Sequence, residues 1–109
     1  AAHGVARFHF NDLCAKALGA SDYIKIAEAF HTVILRDVPK LTPDKRNEAK
    51  RFVTLIDELY EAKTRLFMSA EAEPGDLYPK GDGAFEFERT VSRLMEMQST
   101  EYLALREDI

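Results

Sequence analysis

From Val5 to Phe10 apolar and polar side chains alternate, with Ala6, Phe8 and Phe10 falling on one side and Val5, Arg7 and His9 on the other. That is the two-residue period of a half-buried strand. Asn11 follows as a cap for a short turn of helix through Cys14, which Gly19 ends, and Ser21 offers the N-cap of a second helix. In that helix Tyr23, Ile26, Ala27 and Phe30 share a face. His31 to Val38 reads as a second strand. Its middle, Val33-Ile34-Leu35, is apolar on both sides, as a strand with helices above and below would be, and Pro39 closes it. Thr42 before Pro43 marks a helix start, the hydroxyl satisfying a free amide and the proline suiting the first turn. The helix should run to about Ala62, and Ala49, Phe52, Val53, Ile56, Leu59 and Tyr60 give it the strongest periodic stripe in the chain. Thr64 to Ala70 is a third strand. Glu71 to Gly83, with two prolines and three glycines, reads as an exposed and mobile loop. A last helix begins near Ala84 or Phe85, turns Val91, Leu94, Met95 and Gln98 or Tyr102 toward the core, and restarts at Ser99.

Strands and helices alternate, so right-handed crossovers predict a small α/β fold: a three-stranded, mostly parallel sheet (β-α-β-α-β-α) flanked by helices. With no internal repeat and no linker, residues 1–109 form a single domain, long enough to bury roughly two-thirds of the surface of the unfolded chain. The edges of so short a sheet carry unpaired amides, which predicts self-association or dependence on a neighbouring domain. The chain opens without an initiator methionine and enters a strand pattern within five residues, as a piece of a longer protein would.

Charge narrows the partners. Lysine and arginine number 15 against 19 acidic residues, a formal −4, and the two signs are interspersed, so no basic stripe for nucleic acid is expected. Apolar runs of three or four residues are too short for membrane insertion. One cysteine, Cys14, excludes an internal disulfide and a multi-cysteine metal site, and no metal ligands are assigned.

Candidate chemistry is sparse. A nucleotide site needs a GxxxxGK[ST] cradle whose amides converge on phosphate, and the chain carries none; Gly81-Asp82-Gly83 is too short. VILRDVP imitates the strand that presents a magnesium-binding Asp in P-loop ATPases, with Asp37 near its carboxyl end. The plainer reading of Asp37 is a solvated strand end paired with Arg36. His3, His9 and His31 are scattered, Ser69 lacks a nucleophile elbow and Cys14 lacks a histidine partner, so no residue is assigned as catalytic. Asp57, Glu58 and Glu61 read as a solvated helix face paired with Lys50, Lys63 or Arg51. In EFERTVSRLMEMQS, Arg89 and Arg93 lie four apart on one helical face. They either pair with Glu86, Glu88 and Glu96 or present guanidinium groups to phosphate or to an acidic surface across a boundary.

Taken in order, FHFNDLCAKALGASDY, FHTVILRDVPKL, NEAKRFVTLIDELYEAKTRLFMSA and FEFERTVSRLMEMQSTEYL resemble the C-terminal region of the ZapE and AFG-type family of P-loop (AAA+) ATPases, from about Ala6 to Leu103. The resemblance implies ATP and magnesium in the parent protein, at motifs upstream of this region, and no cofactor in this piece. It further implies contacts with the upstream ATPase core and neighbouring subunits, an unidentified client protein, and a role in bacterial division or mitochondrial membrane-protein quality control. Cytoplasm is the expected location and the mitochondrial matrix the alternative. Two functions stand open: an assembly or regulatory domain of such an ATPase, and a free-standing small α/β enzyme or binding module with an unrecognised site.

Overall fold

The computed structural model of the chain describes residues 4–104. His3 lies outside them. Strand β1 (Val5–His9) runs directly into the single-turn helix α1 (Phe10–Cys14), and helix α2 (Ala20–Ala29) leads to β2 (Thr32–Val38). A 3-10 turn at Pro43–Lys45 opens helix α3 (Arg46–Glu61), which returns the chain to β3 (Arg65–Ala70). A second 3-10 turn (Pro74–Asp76), helix α4 (Ala84–Glu96) and the short α5 (Thr100–Leu103) complete the described chain. The sheet is parallel throughout, in the order β1-β2-β3, with Ala6 opposite Val33 and Val33 opposite Leu66.

This order decides where the core sits. Each crossover steps one strand in the same direction, so right-handed connections lay α2 and α3 on the same face, where they pack together, with α1 and α4 against α3. Beneath them Ala6, Val33, Leu35 and Leu66 are buried, and Phe8 and Met68 pack at the margin. The opposite face is open: Val5 and Arg7 of β1, Arg36 of β2, and Phe67 and Ser69 of β3 are exposed, while His9, Ile34 and Arg65 are half-buried. The sequence reading that β2 is covered on both sides is therefore wrong. An apolar triplet cannot report that both crossovers travel the same way.

The stripe of α3 fills the core through Ala49, Phe52, Leu55, Ile56 and Leu59, while Val53 and Tyr60 lie at its edge. Phe52 sits between Phe10 and Phe87, with ring centroids 6.2 and 5.9 Å away. The Tyr23 hydroxyl, fully buried, donates to the Leu13 carbonyl at 2.6 Å and so ties α2 to α1. Burial raises its pKa to about 12, and burial likewise raises the Cys14 thiol to about 12, leaving it protonated and unreactive.

Several local expectations are corrected. α1 is capped by His9, whose Nδ1 accepts from the Asn11 amide at 3.0 Å while Asp12 accepts from the His9 amide at 3.2 Å. α2 starts at Ala20, its entry held by Asp22 accepting from the Gly19 amide at 2.9 Å, so Ser21 lies inside the helix. Thr42 spends its hydroxyl on the Asp44 carboxylate rather than on an amide. The segment from Glu71 to Gly83 is exposed only in part, because Leu77 and Tyr78 are buried, the Leu77 carbonyl accepts from the Leu41 amide at 2.7 Å, and Tyr78 packs edge-on against Phe87. In α4 the core contacts are Phe87, Thr90 and Leu94; Met95 is exposed, and Met97, just past the helix end, takes the inward place. Ser99 does cap α5, accepting from the Tyr102 amide at 3.1 Å. No helix among the described residues is long and apolar enough to cross a membrane.

Candidate functional site

Two clusters gather the residues singled out in the sequence. The first lies at the carboxyl ends of the strands, the end of an open parallel sheet at which ligands usually bind. There the ladder between β2 and β3 slips, and Asp37 adopts φ 59°, a left-handed conformation that aspartate tolerates better than most residues. The slip turns its carboxylate across to β1, 3.2 Å from His9 Nε2, and its amide donates to Ser69 Oγ at 2.9 Å. Asp37 thus pairs with His9 and not with Arg36. Because Nδ1 of His9 accepts from Asn11, the proton sits on Nε2 and points at Asp37. Both ring nitrogens are used, and Ser69 faces an amide rather than the imidazole, so this trio is no nucleophile-and-base pair.

The second cluster spans α3 and α4. Asp57 receives both arginines: Arg93 Nη1 on Oδ1, and Arg89 Nη2 on Oδ2 at 3.4 Å. Arg93 also approaches Glu61 at 4.0 Å and stands 4.7 Å over the Tyr60 ring, whose hydroxyl donates to Glu96 at 2.8 Å. That hydrogen bond to Glu96 is the main cause of a raised Tyr60 pKa. Among the described residues Arg89 and Arg93 pair across to α3 rather than with the expected glutamates of α4, and no lysine pairs with Asp57 or Glu61; Arg51 instead donates to the Cys14 carbonyl at 3.1 Å. The two arginines differ in commitment. Arg93 is 23% exposed and held on three sides, whereas Arg89 is 61% exposed on one long contact. Arg89 borders a groove of about 430 Å³ between the starts of α3 and α4, with Arg46, Lys50, Asp82 and Glu86 around it.

Neither candidate for ATP and magnesium fits the group it would hold. At Gly81 a Cβ would stand 2.6 Å from the Tyr78 hydroxyl oxygen and 3.1 Å from Pro43 Cα, so the glycine makes room for an internal ring rather than for phosphate. Asp37, whose strand only imitates one that presents a magnesium-binding Asp, faces an imidazole N–H donor. Among the described residues no three histidine, cysteine or carboxylate side chains group to hold a metal.

The AFG1-like ATPase family profile matches residues 1–106, nearly the whole chain. The chain belongs to the AFG1-like ATPase family. Among its relatives, the Escherichia coli K12 cell division protein ZapE is 47% identical over 94 residues, covering 86% of this chain and 25% of that protein. The zebrafish lactation elevated protein 1 homolog B is 35% identical over 130 aligned residues, covering 90% of this chain and 26% of its own length. This AFG1-like chain therefore spans about a quarter of the length of these curated relatives. No solved structure matches it.

Proposed function

We propose that this chain is the C-terminal assembly or regulatory domain of a ZapE-type AAA+ ATPase, whose ATP and magnesium are held by the rest of the full-length polypeptide. The family match along nearly the entire chain, which spans only a quarter of each relative, carries the reading. In it, the domain contacts the ATPase core and a neighbouring subunit of an oligomer, in the cytoplasm of a bacterium or, alternatively, the mitochondrial matrix. A part in cell division follows the printed name of the Escherichia coli relative. Arg89 is the residue that reaches outward, because Arg93 is consumed by Asp57, Glu61 and Tyr60.

The test compares ATPase turnover of the full-length protein with thermal melting of the 109-residue chain for Arg89→Ala and Arg93→Ala. Arg89→Ala should slow turnover about tenfold, equivalent to about 1.4 kcal/mol of transition-state stabilisation, with melting unchanged. Unchanged turnover, or turnover and melting falling together, removes Arg89 from the interface.

A further inference from the structure

We infer that the bare face of the sheet is the seat of a helical layer, apolar at its centre and rimmed with carboxylates, contributed by another part of the same full-length polypeptide. The inference rests on the family reading above. Its first support is topological: purely parallel sheets occur almost only with both faces covered, and here every crossover lies on one. The uncovered face is also dressed for contact. Val5 is 52% and Phe67 55% exposed on the two edge strands, Ile34 of the central strand is paired with Phe67, and all three stand outside the core.

Charge specifies the occupant. Arg7 and Arg36 project from the same face, and among the described residues neither pairs with a carboxylate, although the chain as a whole is acidic. Asp37, at the end of the sheet, is turned to His9. A second copy meeting this one face to face would set arginine against arginine, which disfavours a symmetric dimer through this surface. Single-stranded nucleic acid would find only Phe67 free to stack on, because Val5 and Ile34 are aliphatic, the His9 ring is held by the Asn11 amide and Asp37, and Arg65 is already held by the Leu103 carbonyl at 2.6 Å. An acidic, apolar-centred layer meets both the stripe and its cations.

Cys14 is buried and its thiol protonated, so the chain is a silent background for thiol labelling. Phe67→Cys and, on the opposite edge strand, Val5→Cys are each treated with a maleimide in the 109-residue chain and in the full-length protein. Both thiols should react at least tenfold more slowly in the full-length protein, and Arg7→Glu with Arg36→Glu there should restore most of the rate. Equal rates in the two proteins overturn the inference, and if ATPase turnover is intact they leave the family reading standing. Protection already present in the 109-residue chain that grows with its concentration assigns the face to a second copy. Protection there by a single-stranded oligonucleotide assigns it to nucleic acid, and either result overturns the proposal.

Discussion

Replacing Arg93 by alanine should cost this domain far more than replacing Arg89, though both arginines share one carboxylate. Arg93 loses its bond to Asp57, its approach to Glu61 at 4.0 Å and its seat 4.7 Å above Tyr60. With Arg93 23% and Asp57 27% exposed, the pair is largely shielded, so a charged hydrogen bond stays near the lower part of its usual range of about 1.5–3 kcal/mol. The ring contact adds about 0.5 kcal/mol. Arg93→Ala should thus cost about 2 kcal/mol, lowering the melting temperature by about 8–16 °C in a domain of this size. Arg89, 61% exposed and 3.4 Å from its partner, should cost at most about 0.5 kcal/mol. Urea denaturation of the single variants and of each combined with Asp57→Ala gives the coupling energies directly. Coupling near 1.5 kcal/mol for Arg93 with Asp57, and below about 0.5 for Arg89 with Asp57, is expected. Equal couplings would refute the division of labour on which the outward role of Arg89 depends.

Gly81→Ala should destabilise the chain by about 3 kcal/mol in thermal melting, since the residue sits at φ +129° and the new methyl meets Tyr78 and the Pro43 backbone. Gly75→Ala, with open space around it, should change stability by less than about 0.5 kcal/mol. Thr90→Val should stabilise by about 1 kcal/mol, because the Thr90 hydroxyl is buried with no hydrogen-bond partner among the described residues, and no gain in the denaturation midpoint would show that a partner exists. Stability should hold up to about pH 9 and fall between pH 9 and 12. Cys14 and Tyr23 are raised from 9.0 and 10.0 to about 12, so above those lower values the unfolded chain has shed protons that the folded chain retains. Cys14→Ala should remove the earlier part of that fall in a pH series of urea midpoints.

The elements were legible where the pattern is long and one-sided, as in α3, where Ala49, Phe52, Ile56 and Leu59 are buried as read, although Leu55 joins them and Val53 and Tyr60 lie at the margin. Misreadings cluster where a distant residue decides a local choice. His9 outcompetes Asn11 as the cap of α1 because Asp37, on another strand, fixes its ring with Nδ1 free to accept. Spacing along α4 suggested glutamate partners for its arginines; packing of α4 on α3 brought Asp57 instead. Leu77 and Tyr78 were hidden by the prolines and glycines around them, since composition averages a segment and burial selects single residues. The difference between Arg89 and Arg93 could not be seen at all until the two helices were placed.

The anchoring of Leu77 and Tyr78 divides the thirteen-residue connection from Glu71 to Gly83 into two short, unequal spans, and so sets which length changes the family can absorb. Each span is its own closed loop. Adding residues in the first span, between the exposed Glu71 and Glu73, only enlarges a loop whose ends are already fixed, at about 0.6 kcal/mol for each doubling. Deleting one residue between Tyr78 and Asp82 is different, because the Tyr78 hydroxyl reaches the Asp82 carbonyl at 2.6 Å over a glycine whose missing side chain leaves the ring its room. Length variation among relatives should therefore accumulate in the first span, before Leu77, and avoid the latch from Tyr78 to Asp82.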